Sequence, residues 1–352
     1  MPPFYRAQRL LWALLSASPL TGVVFLIWAS GQLDPAHGAS EEIGVYSGRH
    51  YNTDKALYAE FTRRTGIKVK LLEAKDDALI ERLRNEGVNS PADVLVLVDA
   101  ARLDKAADMG LFQPTRSASL IRDVPLNLRD SRSRWFGLTR RVRVIIVNPN
   151  LIHPSTIRAY GDLANPALKG KLCLRDSKSV YNQSLVADQL ILRGENTTRA
   201  WVKGMVANVR KPFFTSDTPL ARAVAQGECA VGVVNTYYVA RMLAGDSGAG
   251  DRALAAKLKV IFPKPAHVNI TGAGVTMASK NRVEATRLIE FLASPTGGRG
   301  YAEANNEYPL KGYGENPILM RFGGFTAAPI SSEQMGARSR QAVRLMQTNG
   351  WN

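Results

Sequence analysis

The stretch "SPADVLVLVDA", Ser90–Ala100, places the tightest constraint on the fold. Its run "VLVLV" carries no polar alternation, as expected of a strand covered on both faces, and such strands belong to parallel sheets flanked by helices. The preceding chain supplies the partners. "IGVYS" reads as a short strand, and "NTDKALYAEFTRRTG" as a helix with Ala56, Leu57 and Phe61 at helical spacing. Asn52 or Thr53 would cap that helix and Gly66 would stop it. "IKVKLLEA" is a second strand and "DDALIERLRNEG" a second helix. The resulting βαβαβ order implies an open, mostly parallel α/β sheet.

The pattern restarts downstream, with strands at "KLCLR" and "AVGVV" and helices at "NQSLVADQLILRG" and "TTRAWVKGMVANV". Two extended runs, "WFGLTRRVRVIIVNPN" and "HVNITGAGVTMAS", read as crossovers between two α/β lobes. A length of 352 residues fits two such units. The expected first lobe is discontinuous, residues 43–143 and 269–319, and the second takes 144–268 and 320–352. Ligands of such sheets bind at the carboxyl ends of strands, here the cleft between the lobes.

Residues 1–38 stand apart. Arg6 and Arg9 precede the uncharged run Leu10–Ala29, followed by small and polar residues, a pattern that reads as an export signal or an uncleaved N-terminal anchor. Either places the domain outside the cytoplasm. Cys173 and Cys229 are an even pair, which in an exported protein suggests one disulfide, two buried thiols being the alternative. The formal charge is +16, and about +15 remains without residues 1–38. That field favours anionic partners, but "TRRTG", "LTRRVRV" and "GARSRQAVR" lie far apart and match no nucleic-acid motif.

Four tyrosines fall just after expected strands: Tyr51 after "IGVYS", Tyr181 after "KLCLR", and Tyr237 and Tyr238 after "AVGVV". All would reach the carboxyl edge of a sheet, from both lobes. Taken singly they are packing or rim residues. Together they are hard oxygen donors, which a strong cation such as Fe³⁺ can deprotonate despite a phenol pKa near 10. His50, beside Tyr51, offers a nitrogen. Asn235-Thr236 would cap a helix whose amide end favours phenolate, and a distorted helix start would let adjacent tyrosines share one ion. Enzyme motifs find no support: "TGAGVT" lacks dinucleotide-loop spacing, Ser184 lacks a nucleophile elbow, and Asp99 reads as cleft lining or a helix cap.

The strings "VYSGRHYNTDKALYAEFTRRTGIKV", "GVNSPADVLVLVDAARL", "WFGLTRRVRVIIVN", "YGDLANPALKGKLCLR", "VYNQSLVA", "VVNTYYVARM", "NITGAGVTMASKN" and "NEYPL" resemble ferric-iron-binding proteins of bacterial ABC importers, the cyanobacterial Fut-type proteins in particular. The resemblance runs from about Ile43 to Leu310. It implies a two-lobed type II periplasmic-binding-protein fold closing on Fe³⁺, a monomeric receptor in the periplasm and an ABC permease as partner. By position it makes Tyr51, Tyr181, Tyr237 and Tyr238 metal ligands and His50 a fifth ligand of some members. The strong basic charge departs from the family pattern. Arg49 and Arg241 flank the ligand positions and would lie behind them or clamp an anion. An anionic-solute receptor using these arginines is the alternative, as is an iron-sequestering protein with the same site.

Overall fold

A computed structural model describes residues 42–49 and 54–352 of the chain. The expected export segment, His50, Tyr51 and the helix caps Asn52 and Thr53 lie outside the described residues. The first unit runs β1 (Glu42–Ser47), α1 (Lys55–Thr65), β2 (Lys68–Glu73), α2 (Asp76–Glu86), β3 (Val94–Val98), α3 (Ala100–Asp108) and α4 (Ala118–Asp123). As expected, Gly66 ends α1: it adopts φ 77° and its N–H donates to the Thr62 carbonyl. Strand β1 pairs in parallel with β2 and β3, so the βαβαβ reading holds.

The chain continues through β4 (Phe136–Val147), β5 (Leu172–Cys173), α5 (Val180–Asn208), α6 (Asp217–Gln226), β6 (Val231–Asn235), α7 (Thr236–Ala244), α8 (Asp251–Ala255), β7 (Lys259–Ile261) and β8 (Val268–Val275). It ends with α9 (Arg282–Ala293), α10 (Pro295–Glu303), α11 (Pro317–Phe322) and α12 (Ser332–Thr348). Helix α5 is two helices meeting at Gly194, whose φ of 75° interrupts the helical backbone.

The strand order is β2-β1-β3-β8-β4-β6-β5, with β7 also on β4. The two extended runs of the sequence are β4 and β8, and they pair antiparallel with each other over Phe136–Val142. From Arg143 onward β4 exchanges β8 for β6 and β7. One twelve-residue strand therefore serves two sheets, and it brings its middle residues to the boundary between them.

The apolar side chains gather accordingly. One cluster surrounds β1, β3 and β8, with Leu95, Val96, Leu97, Ile270 and Ala273 inside. Two more cover opposite faces of the second sheet. Ile145 and Val147 face one side and Val144 and Ile146 the other, the period-two alternation of a strand. This double burial explains why both strand runs read as continuously apolar. Helix α12 contributes Met335 to the first cluster and Ala342, Leu345 and Met346 to the second. Among the described residues no helix is long and apolar enough to cross a membrane.

Candidate functional site

Two helices begin at one point. Tyr181 is the second residue of α5, behind the N-cap Ser179. Tyr237 and Tyr238 are the second and third residues of α7, which starts directly at the end of β6. The Tyr237 hydroxyl donates to the Tyr181 phenol oxygen at 3.2 Å. The Tyr237 and Tyr238 rings stack with centroids 4.2 Å apart and planes 30° apart, so the adjacent side chains run nearly side by side. The expected cap is only partly realised. Asn235 has N-cap geometry, but its side chain makes no cap bond, and the Asn235 N–H instead donates to Asp217 Oδ2 at 3.0 Å.

A cavity of about 30 Å³ opens at the Tyr181 and Tyr237 rings, lined also by Gly48, Arg49, Asp76, Val98, Asn305 and Glu307; Tyr238 is not in its lining. It exceeds the ~10–15 Å³ that one water or small ion needs. Its first wall comes from the segment that follows β1. Gly48 is required there, because a Cβ would stand 2.1 Å from Asp76 Oδ1. Asp76 accepts from the Val98 N–H at 2.7 Å and from Arg102 at 2.9 Å; burial still pushes its carboxyl above the ordinary value, against the pull of Arg102.

Three guanidiniums surround the Tyr181 ring. Those of Arg141 and Arg175 lie 5.3 Å from its centroid and that of Arg143 lies 5.9 Å away. Arg141 and Arg143 are two apart on β4 and so share a face. Arg141 meets Asp99 at 3.4 Å, Arg143 meets Asp217 at 2.5 Å, and Arg175 meets Asp217 at 3.6 Å. Burial lowers the Arg141 guanidinium, but Asp99 and Tyr181 outweigh it and raise the net value. Arg141 is thus matched to Asp99, and Arg143 and Arg175 share Asp217 beside the Tyr181 ring.

A family model described as "Bacterial extracellular solute-binding protein" matches residues 89–320. Iron uptake protein A1 of Synechocystis is 43% identical over 319 residues, 89% of this chain and 88% of that protein. The chain belongs to the bacterial extracellular solute-binding proteins, in their Fut-type ferric-binding branch. An Fe(3+)-binding periplasmic protein of Serratia marcescens is 30% identical, over 90% of this chain and 92% of that one. A Trichodesmium FutA structure in complex with iron and citrate superposes with a TM-score of 0.85 at 41% identity, covering 88% of this chain and all of that chain. The fold is thus the α/β periplasmic-binding-protein fold, and a protein of this family binds its solute without turning it over.

The extracellular solute-binding protein places its flanking arginines differently from one another. Arg49 is buried and clamped: Nε donates to Asp54 at 2.8 Å, Nη1 to Glu307 at 3.0 Å and Nη2 to the Tyr301 carbonyl at 2.9 Å, with the guanidinium 3.8 Å above the Tyr301 ring. Arg241 is half-buried in the last turn of α7, one turn beyond Tyr237. Cys173 and Cys229 form a disulfide with Cα atoms 5.8 Å apart, tying the end of β5 to the turn before β6. Sequence reasoning missed Arg141, Arg143 and Arg175. The signal for Arg141 and Arg143 was present in "LTRRVRV", where they stand at strand period before the apolar run "VIIV". Buried arginines in that position need a polar destination, and the phenols with Asp99 and Asp217 are it.

Proposed function

We propose that this solute-binding protein captures Fe³⁺ outside the cytoplasm and delivers it to an ABC permease. In this reading the metal is held by the phenolates of Tyr181, Tyr237, Tyr238 and Tyr51, with His50 as a nitrogen ligand. The supporting observation is the pair of phenol oxygens 3.2 Å apart at the starts of two helices, beside an ion-sized cavity. The Tyr237 proton now bridges the two oxygens, and a small trivalent ion could take its place by deprotonating both phenols. Gly48 and Arg49 line the same cavity, and His50 and Tyr51 follow them directly in the chain. The names of the Synechocystis and Serratia relatives support iron as the solute.

Transport follows from a two-lobed arrangement, residues 43–143 with 269–319 closing on 144–268 with 320–352. Closure completes the metal shell and offers both lobes to the permease, the protein acting as a monomer in the periplasm. The anionic-solute reading loses ground because the Arg49 guanidinium is already matched to Asp54 and Glu307.

The deciding experiment adds one equivalent of chelated Fe³⁺ to purified protein and records the visible spectrum. A broad phenolate-to-iron band, orange to purple, is the expected result. A folded protein that gains no band overturns the assignment and returns the tyrosine pair to a packing role.

A further inference from the structure

We propose that Asp99 is a positioning residue that latches the first core onto the Tyr181 helix, and that this latch sets how long the cleft stays shut. Asp99 sits between β3 and α3 with φ 118° and ψ 135°, a backbone conformation that residues other than glycine rarely adopt. Such geometry persists only where the surroundings over-determine it, and here they do. Its buried carboxylate accepts four hydrogen bonds. Oδ1 takes the Ala101 N–H at 3.0 Å and the Ser184 hydroxyl at 2.6 Å; Oδ2 takes Asn269 Nδ2 at 2.9 Å and Arg141 Nη2 at 3.4 Å.

These donors come from four elements. Ala101 is the second residue of α3 in the first core, Asn269 is on β8, Arg141 is on β4 and Ser184 is on α5. The next residues of α5, Leu185 and Val186, belong to the second core, whereas Leu97 and Ala100 on either side of Asp99 belong to the first. The Ser184 bond therefore spans the two cores. It also lies one turn along α5 from Tyr181, on the same helix face. Arg141, which faces the Tyr181 ring, is bound to the same carboxylate. One residue thus ties the crossover strands to the helix start that carries a site phenol. Asn269 strengthens the anchor, since its Oδ1 accepts from the Ala100 and Ile270 N–H groups.

Rotation of the second core about β4 and β8 would stretch the Ser184 bond while leaving the other three inside the first core and its crossovers. Ser184→Ala removes that bond alone and keeps a strong helix former in place. It is expected to enlarge the radius of gyration of the iron-free protein in X-ray scattering. It should also hasten loss of Fe³⁺ to a competing chelator by about tenfold, the factor that one hydrogen bond to a charged group commands. Ser184→Thr, which keeps the hydroxyl, should restore both values, and Asp99→Asn should shift both in the direction of Ser184→Ala. Unchanged scattering and unchanged release in Ser184→Ala overturn the latch. The release arm rests on the ferric reading above, but the scattering arm does not. A protein that binds no iron yet expands in Ser184→Ala keeps the latch and loses the ferric assignment.

Discussion

Replacing Asp217 by Asn removes the charge from the most deeply buried ion pair of the second sheet. Arg143 and Asp217 are both fully inaccessible and 2.5 Å apart. Asp217 also stands 3.6 Å from Arg175 and accepts the N–H of Asn235, the residue before α7. An asparagine fills the same space and can still accept one of these hydrogen bonds. It cannot balance a guanidinium whose other partner is the neutral Asn182 amide oxygen, 2.9 Å away. Stranding one member of a buried pair costs about 3–5 kcal/mol. That is a third or more of the ~5–15 kcal/mol by which folded proteins are stable. With a urea dependence of roughly 3 kcal/mol per molar, the unfolding midpoint should fall by about 1 M or more. The assay is urea unfolding followed by fluorescence, where Trp201 and Trp351 report on the second core and Trp135 on the first. Arg143→Met added to Asp217→Asn removes the stranded guanidinium and should recover part of the loss. A single Asp217→Asn variant with an unmoved midpoint would refute the reasoning, because Arg143 would then not depend on that carboxylate.

Tyr238→Phe should weaken ferric binding and shift or bleach the visible band; unchanged spectrum and affinity remove Tyr238 from the ligand set. The Cys173–Cys229 bridge closes a loop spanning 56 positions, for which chain entropy implies about 4 kcal/mol, so replacing both cysteines by alanine should lower the thermal midpoint clearly. Rapid thiol labelling of the native protein before reduction would contradict the bridge. The Asp104 carboxyl is pushed up to about 6 by burial, with Asp108 adding repulsion and Arg134 offsetting part of it. A folded value above the unfolded one stabilises at low pH, and that contribution disappears as pH rises through about 6. Asp104→Asn should therefore raise the urea midpoint at pH 8, with the gain vanishing below about pH 4. An equal gain at both pH values would mean that titration is not its source. For a cleaved signal, mass spectrometry of the protein from its native cell should find an N-terminus beyond the Leu10–Ala29 run, and an intact Met1 would favour an anchor.

Much of the architecture is legible in the chain because each strand is locally consistent with its burial. "VLVLV" could only be covered on both faces, and Gly66 could only end its helix at a positive φ. The two long runs announced themselves as crossovers by length. Their antiparallel pairing, and the exchange of partners at Arg143, were not legible, since no local feature records which neighbour a strand meets. The tyrosines were visible as candidates through their place after strands. That Tyr237 and Tyr181 bring their oxygens together depends on two helices starting at one point, and those residues are 56 positions apart.

By itself, then, the sequence determined periodicity, helix stops, the cysteine pair and the kind of donor offered at each strand end. These depend on covalent chemistry and on residues within a turn or two of one another. Tertiary structure alone decided the charge environment. Arg141 and Arg143 read as members of a scattered basic surface, yet folding buries both beneath the Tyr181 ring. Asp99 is the helix cap that the sequence suggested, and folding also made it the meeting point of four elements. The physical reason is range. Electrostatic and hydrogen-bond partners are chosen through space, and only the closed chain makes residues far apart in sequence neighbours within 3 Å.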